Sequence, residues 1–318
     1  MYVQQKPCGG DDGLAARGRA AHIPTYHEDH QKERLRVSEP ADVVKGIDHL
    51  IVMVRDLDRS ERTWRALGFH TTARGFHQSG GTANHLIMLD RTYIELLGLA
   101  GPSAHTPYRR MMEQNPGLSG VALRGSATET YRYWLAQGLE PSPPESLARD
   151  VQFNGRVEVA RFELTRLQHS TELPFLLFCC DHLTPQFVWQ AGAAPQPNGA
   201  RSLEELVIVA DDAGALGRFE RVAGHPISNG AGGSSLALGE CKITFLPPDA
   251  FLGRFGSGAA LRLGALPTLA AFVVAGTDVS LARHYAEAAG YRVRGTHSGG
   301  FTVQVPSEGV VIECSPAT

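Results

Sequence analysis

Glu95 carries the most chemical information of any residue in this chain. It is a carboxylate within an otherwise apolar run, residues 94–99, and burying a lone carboxylate is costly unless it is paired or metal-bound. His49 poses a similar question inside the apolar run 48–54. A single histidine on an apolar face is either a hydrogen-bonded core residue or a ligand. Neutral imidazole and carboxylate together suit Zn²⁺, Fe²⁺, Mn²⁺ or Ni²⁺, and two or three such ligands leave positions open for substrate oxygens. His77 and the loop 78–84 lie between them in sequence. There Gly80 and Gly81 let backbone approach a ligand, and Thr82 and Asn84 offer polar groups to orient it. The plainer reading of that loop is a polar hairpin with solvated histidines.

Other chemistries find no support. Gly-rich stretches such as 230–233 lack the Gly-Lys-Ser or Gly-Lys-Thr ending of a P-loop and the strand–helix setting of a dinucleotide fingerprint, and no G-x-S-x-G elbow is present. Thirty Lys plus Arg against 33 Asp plus Glu gives a net charge of −3, so no strong field favours nucleic acid or an anionic membrane. No apolar run reaches the roughly 18 residues of a membrane span, which points to a soluble, cytoplasmic protein. Five cysteines without a C-x-x-C pair read as buried thiols in a reduced compartment. Cys179 and Cys180 are adjacent, so on a strand they point to opposite faces.

The elements that must position these residues follow a repeated grammar. Residues 1–44 show no sustained apolar period and read as a flexible extension, with a short helix over 26–37 and solvated His22, His27 and His30. From Gly46 onward, a strand, a helix-starting Asp or Ser, an amphipathic helix and a closing Gly occur four times. The starter and the glycine are spaced alike in each: Asp56 and Gly68, Ser126 and Gly138, Asp212 and Gly224, Asp278 and Gly290. Asp and Ser accept hydrogen bonds from the free N–H groups of a first helical turn, and Gly takes the left-handed conformation beyond the last one. Strands are expected at 48–54, 121–124, 206–210 and 271–275 before the helices. Further runs follow them at 70–76, 84–89 and 93–99 in the first unit and at 291–295, 301–305 and 309–314 in the last. One helix cannot cover a four-stranded sheet, so the units should pair. The expected fold is α+β: four βαβββ modules paired into two domains, 45–190 and 201–318, with curved mixed sheets around a cup-shaped cavity. The Pro-, Gln- and Asn-containing segment 191–200 is the linker.

The run from Asp48 to Gly68, reading Asp-His-Leu-Ile-Val-Met-Val-x-Asp-Leu and ending in Ala-Leu-Gly-Phe, resembles the vicinal oxygen chelate superfamily. Gly81-Thr82-Ala83-Asn84 and Tyr93-Ile94-Glu95-Leu96-Leu97 are similar to its glyoxalase-like branch. The resemblance implies one divalent metal in the cup, held by side chains from the first and last strands of paired units. His49 and Glu95 match those places. The corresponding position in the second unit is Ser119, which departs from the pattern, and His182, at the end of the run 174–180, is taken as the third ligand with His85 as its rival. The resemblance also implies that loop 78–84 faces substrate, making His77 and His85 candidate general acid–base groups and Thr82, Asn84 and Tyr93 substrate contacts. In the second pair of units Glu205 stands at the place of His49 and Glu313 at that of Glu95, with no histidine to join them. That domain reads as structural support or a homodimer surface.

These residues imply a metalloenzyme of the isomerase or lyase kind acting on a small-molecule substrate with vicinal oxygens, the metal serving as Lewis acid. Ring-cleaving extradiol dioxygenation is the alternative within enzymes. A non-catalytic protein that sequesters a small molecule is the alternative outside them.

Overall fold

The computed structural model describes residues 43–78, 81–168, 173–190, 195–211, 213–230, 232–263 and 266–316. Cys8, the three N-terminal histidines and the helix expected over 26–37 lie outside these residues. Val43 and Val44, read from sequence as the end of the extension, are buried in the core.

The strand–helix–strand–strand–strand order recurs along the chain. Strand β1 (Gly46–Met53), helix α1 (Leu57–Ala66), β2 (Gly75–His77), β3 (Thr82–Met88) and β4 (Tyr93–Leu99) are followed by a short helix α2 (Arg109–Gln114). Then come β5 (Gly117–Arg124), α3 (Ala127–Ala136), β6 (Glu145–Phe153), β7 (Arg156–Arg166) and β8 (Leu176–His182). These eight strands close into a barrel in the order β1-β4-β3-β2-β6-β7-β8-β5. The closing seam is short: β2 meets β6 through Phe76 opposite Asp150 and His77 opposite Arg149.

The second half repeats the order with β9 (Ser202–Val209), α4 (Ala213–Ala223), β10 (Ser228–Gly230), β11 (Gly233–Leu238) and β12 (Cys241–Leu246). An added helix α5 (Pro248–Phe255) precedes β13 (Thr268–Thr277), α6 (Val279–Ala288), β14 (Val293–Gly295), β15 (Phe301–Val305) and β16 (Val310–Pro316). Its sheet runs β10-β11-β12-β9-β13-β16-β15-β14 and stays open.

Three of the four expected helix starters cap their helices, and the fourth, Asp212, lies outside the described residues. Asp56 accepts from the Arg59 N–H, Ser126 from Glu129 and Asp278 from Leu281. All four closing glycines have positive φ, from 70° at Gly138 to 84° at Gly290, a region costly for any side chain. The long β6–β7 hairpin turns at Asn154 and Gly155, both left-handed, as a two-residue turn of this type requires. The run expected over 70–76 pairs as a strand only at Gly75–His77.

Strand alternation divides the side chains. Leu50, Val52, Ile94 and Leu96 face the helix layer, whereas Ile51, Met53, Tyr93 and Leu97 face the barrel interior. The helix layer forms one apolar core with that of the second sheet: Trp64 stacks on Phe272 at 6.4 Å, and Trp134 Nε1 donates to Val222 O at 2.9 Å. The segment read as a linker is tied into this body, since Gln196 accepts from the His70 N–H and donates to Met88 O.

Candidate active site

The barrel interior holds a cavity of about 350 Å³. Its walls are apolar on the side of Ile51, Leu97, Phe162 and Phe178, and its polar groups include His49, His77, Thr82, Asn84, Glu95 and Arg149. Alternation explains the set: His49 and Ile51 on β1, Tyr93, Glu95 and Leu97 on β4, and Thr82 and Asn84 on β3 all take the inward parity.

Glu95 is the centre of this group. Asn84 Nδ2 donates to its Oε1 at 2.6 Å. His77 Nε2 stands 3.7 Å from that same oxygen, and His49 Nε2 stands 3.7 Å from Oε2. On the far side of the ring, His49 Nδ1 donates to Asp48 Oδ1 at 2.7 Å. A carboxylate can only accept, so Nδ1 carries a hydrogen, and in the neutral ring Nε2 presents a lone pair toward Glu95. Two electron-rich atoms face each other across a gap too long for a hydrogen bond. A cation about 2.1 Å from each donor would span it. A histidine oriented by a carboxylate behind it is the usual support of a metal ligand. The donors therefore fit a divalent ion held by His49 and Glu95.

Asp48 orients more than one ring. It occupies the irregularity in the β1–β5 register between Ile47 and His49, which brings its side chain round beside that of its neighbour. His182 Nε2 donates to the same Oδ1 at 3.0 Å, and Arg124 lies 3.9 Å from Oδ2. Burial alone would raise the Asp48 pKa, but the hydrogen bonds from His182 and His49 hold it well below the usual carboxylate range.

The ligand set expected from sequence is thus rearranged. His182 turns its Nε2 to Asp48 rather than to Glu95, and His49, Glu95 and His182 do not bring their donors together. Among the described residues, the donors that lie within 4.8 Å of one another belong to Asp48, His49 and Cys180. A cation there would have to replace the Asp48–His49 hydrogen bond and ionise a thiol that burial pushes far above its ordinary pKa. His85 is neither a rival ligand nor an acid–base group of the cavity. It follows inward-facing Asn84, so it points outward, where its Nδ1 donates to Thr72 O at 2.8 Å and Glu61 lies 3.8 Å away.

His77 does line the cavity, with Nδ1 and Thr82 Oγ1 sharing a hydrogen bond of 2.9 Å. Burial lowers its pKa, opposed by Glu95 and reinforced by Arg149 and His49. Tyr93 stacks on His49 with centroids 4.4 Å apart, and burial raises its phenol far above the ordinary value. The sequence assigns no site role to Arg149 or Asp48, and leaves Trp189 open between core and cavity lining. Trp189 stacks on His182 at 6.0 Å and tilts against Tyr93, so it backs the histidine cluster. A signal for Arg149 exists in the alternation of Leu147, Arg149 and Val151, which puts the arginine on the side of two apolar residues.

With this geometry in place, comparison with known proteins is informative. Residues 47–221, more than half of the chain, match the glyoxalase-like domain family. The chain belongs to this family. With it, the chain belongs to the vicinal oxygen chelate superfamily. No curated protein matches in sequence. Among solved structures, a hypothetical protein from Staphylococcus aureus is similar over 85% of this chain and 98% of its own, at 13% identity and a TM-score of 0.59. A mutant of 4-hydroxymandelate synthase from Streptomyces coelicolor is similar over 87% of this chain and 94% of its own, at 11% identity and a TM-score of 0.56. An extradiol ring-cleaving dioxygenase from B. fuscum is similar over 87% and 72%, at 13% identity and a TM-score of 0.50. At such identities the likeness is one of fold. Among the described residues, no helix is long and apolar enough to cross a membrane.

Proposed function

We propose that this glyoxalase-like protein is a metal-dependent enzyme of the isomerase or lyase type, acting on a small molecule with adjacent oxygens inside the barrel. The observation that carries the reading is the opposition of His49 Nε2 and Glu95 Oε2 at 3.7 Å, with Asp48 fixing the histidine from behind. A divalent ion between them would supply Lewis-acid polarisation of substrate oxygens. The chain's own residues supply the rest. His77, held largely neutral by burial and oriented by Thr82, presents Nε2 to the cavity as the group that accepts and returns a proton. Asn84 fixes the Glu95 carboxylate, and an apolar wall borders the polar end.

Ring-cleaving dioxygenation is the second reading: His49 and His77 each stand 3.7 Å from a Glu95 oxygen, ligand types that suit Fe²⁺, and the three donors would have to close together to share one ion. The deciding experiment is elemental analysis of the purified protein after incubation with Zn²⁺, Mn²⁺, Ni²⁺ or anaerobic Fe²⁺, beside His49→Ala and Glu95→Ala. One ion per chain, lost in both variants, supports the reading, and the preferred ion separates the two chemistries. No uptake by the wild type overturns it and leaves a small-molecule binding protein.

A further inference from the structure

One group in the cavity is left without a counterpart. Arg149 reaches inward from β6 and is 7% exposed. Among the described residues, no carboxylate lies within 4.0 Å of its guanidinium and no hydrogen bond engages its side chain. Its one ring contact is Phe162, whose centroid is 5.8 Å from Cζ. The other charges of the cavity are answered: Arg166 pairs with Glu145, and Glu95 is met by Asn84 and the two imidazoles. A buried guanidinium without an anion is costly, and its fork of donors matches a planar carboxylate with two parallel bonds.

A second unsatisfied atom lies beside it. Asn84 Oδ1 is buried without a hydrogen-bond partner. Both groups crowd the backbone of Gly75, where an added Cβ would sit 2.5 Å from Asn84 Oδ1 and 3.2 Å from Arg149 Nη1. The corner therefore offers a cation and a neutral acceptor side by side. A carboxylate with a hydroxyl on the adjacent carbon would satisfy both. The remaining walls, Ile51, Leu97, Phe162 and Phe178, suit an apolar body, and the cavity of about 350 Å³ limits its size.

We infer that the ligand of this cavity is a small carboxylic acid with an apolar body, its carboxylate held by the Arg149 guanidinium. The inference rests on the reading above only in taking the barrel interior as the substrate site. Arg149 lies directly across the β2–β6 seam from His77, so an acid anchored there has its adjacent carbon at the polar end of the cavity.

The test is calorimetric titration of the full chain with propionate, phenylacetate and 3-phenyllactate and with the primary amide of each. At least one acid should bind about tenfold or more tighter than its amide, since the ionised group makes charge-assisted bonds that the amide lacks. Arg149→Met should abolish that preference, and Arg149→Lys should restore part of it, with circular dichroism confirming that both variants fold. A wild type that prefers no acid over its amide, a preference unchanged in Arg149→Met, or displacement of the acid by equimolar inorganic phosphate would each overturn the inference. Acid preference in a wild type that takes up no metal sinks the metalloenzyme reading alone. Metal uptake without acid preference sinks the carboxylate assignment alone.

Discussion

The two sheets of this protein meet the same electrostatic problem in opposite ways. Each carries an inward carboxylate on a central strand: Glu95 on β4 of the first, Glu205 on β9 and Glu313 on β16 of the second. In the barrel, Glu95 is met by the imidazoles of His49 and His77, groups able to bind a cation or carry a proton, and by the neutral Asn84 amide. In the open sheet, the answer is a fixed charge from the chain itself. Arg254, on α5, donates to Glu205 Oε2 at 2.7 Å and to Glu313 Oε2 at 3.1 Å. Phe251 and Phe255 of the same helix are fully buried against Val207, Val209 and Ala271. One cavity stays available, and the other is filled by its own insertion. A buried carboxylate is thus a marker of chemistry only when its partners are themselves exchangeable.

Several changes would break or sharpen that contrast. The largest effect is expected in the barrel, where Glu95→Ala should reduce turnover of any substrate found by about 10³-fold or more through loss of metal uptake, as read by steady-state kinetics. In the second sheet, Arg254→Met should leave the buried Glu313 carboxylate unpaired and Glu205 with Lys242 alone, and cost about 3 kcal/mol in urea unfolding, with metal uptake by the barrel retained. Asp48→Asn should weaken metal affinity by about 10- to 100-fold in competition with a chelator, because the carboxylate behind His49 raises the basicity of the ring.

The pH dependence of stability should also distinguish the sheets. Burial pushes Glu205 up, but the hydrogen bonds from Arg254 and the charges of Arg254 and Lys242 leave its pKa below the ordinary value. A group depressed in the folded state contributes stability above its unfolded pKa of about 4.5 and loses it as pH falls through the folded value. Urea midpoints taken between pH 6 and pH 3 should fall in the wild type, and the slope should be shallower in Arg254→Met. The smallest effect is expected at the junction. Trp134→Phe removes the hydrogen bond to Val222 O and should cost about 1 kcal/mol in the same assay.

Much of the fold could be read from local signals because those signals act locally. Asp56, Ser126 and Asp278 cap their helices, and Gly68, Gly138, Gly224 and Gly290 end theirs, for reasons contained within one turn of chain. His49, His77, Asn84 and Glu95 come together because strand parity alone sends all four inward. The same parity argues against His85, since residues next to each other on β3 cannot both face the cavity. His182 has the inward parity too, yet its partner is Asp48. That pairing depends on the irregularity in the β1–β5 register, which no periodicity in β1 announces. The alternation of Leu147, Arg149 and Val151 marks the face of Arg149, but its place beside His77 depends on β6 closing the barrel against β2. Closure is a property of the whole sheet, and it decides which charges end up enclosed together.

The stacking of Trp64 on Phe272 and the bond from Trp134 to Val222 have a consequence for how this protein can change over generations. Both residues of the first half lie on the helices that back the barrel, and their neighbours belong to the half whose own cavity is filled. Substitutions in that half are therefore constrained by the back of the first half's helices. A chain carrying the barrel alone would expose this apolar layer to water, so the second half acts as the cover of the first half's helices.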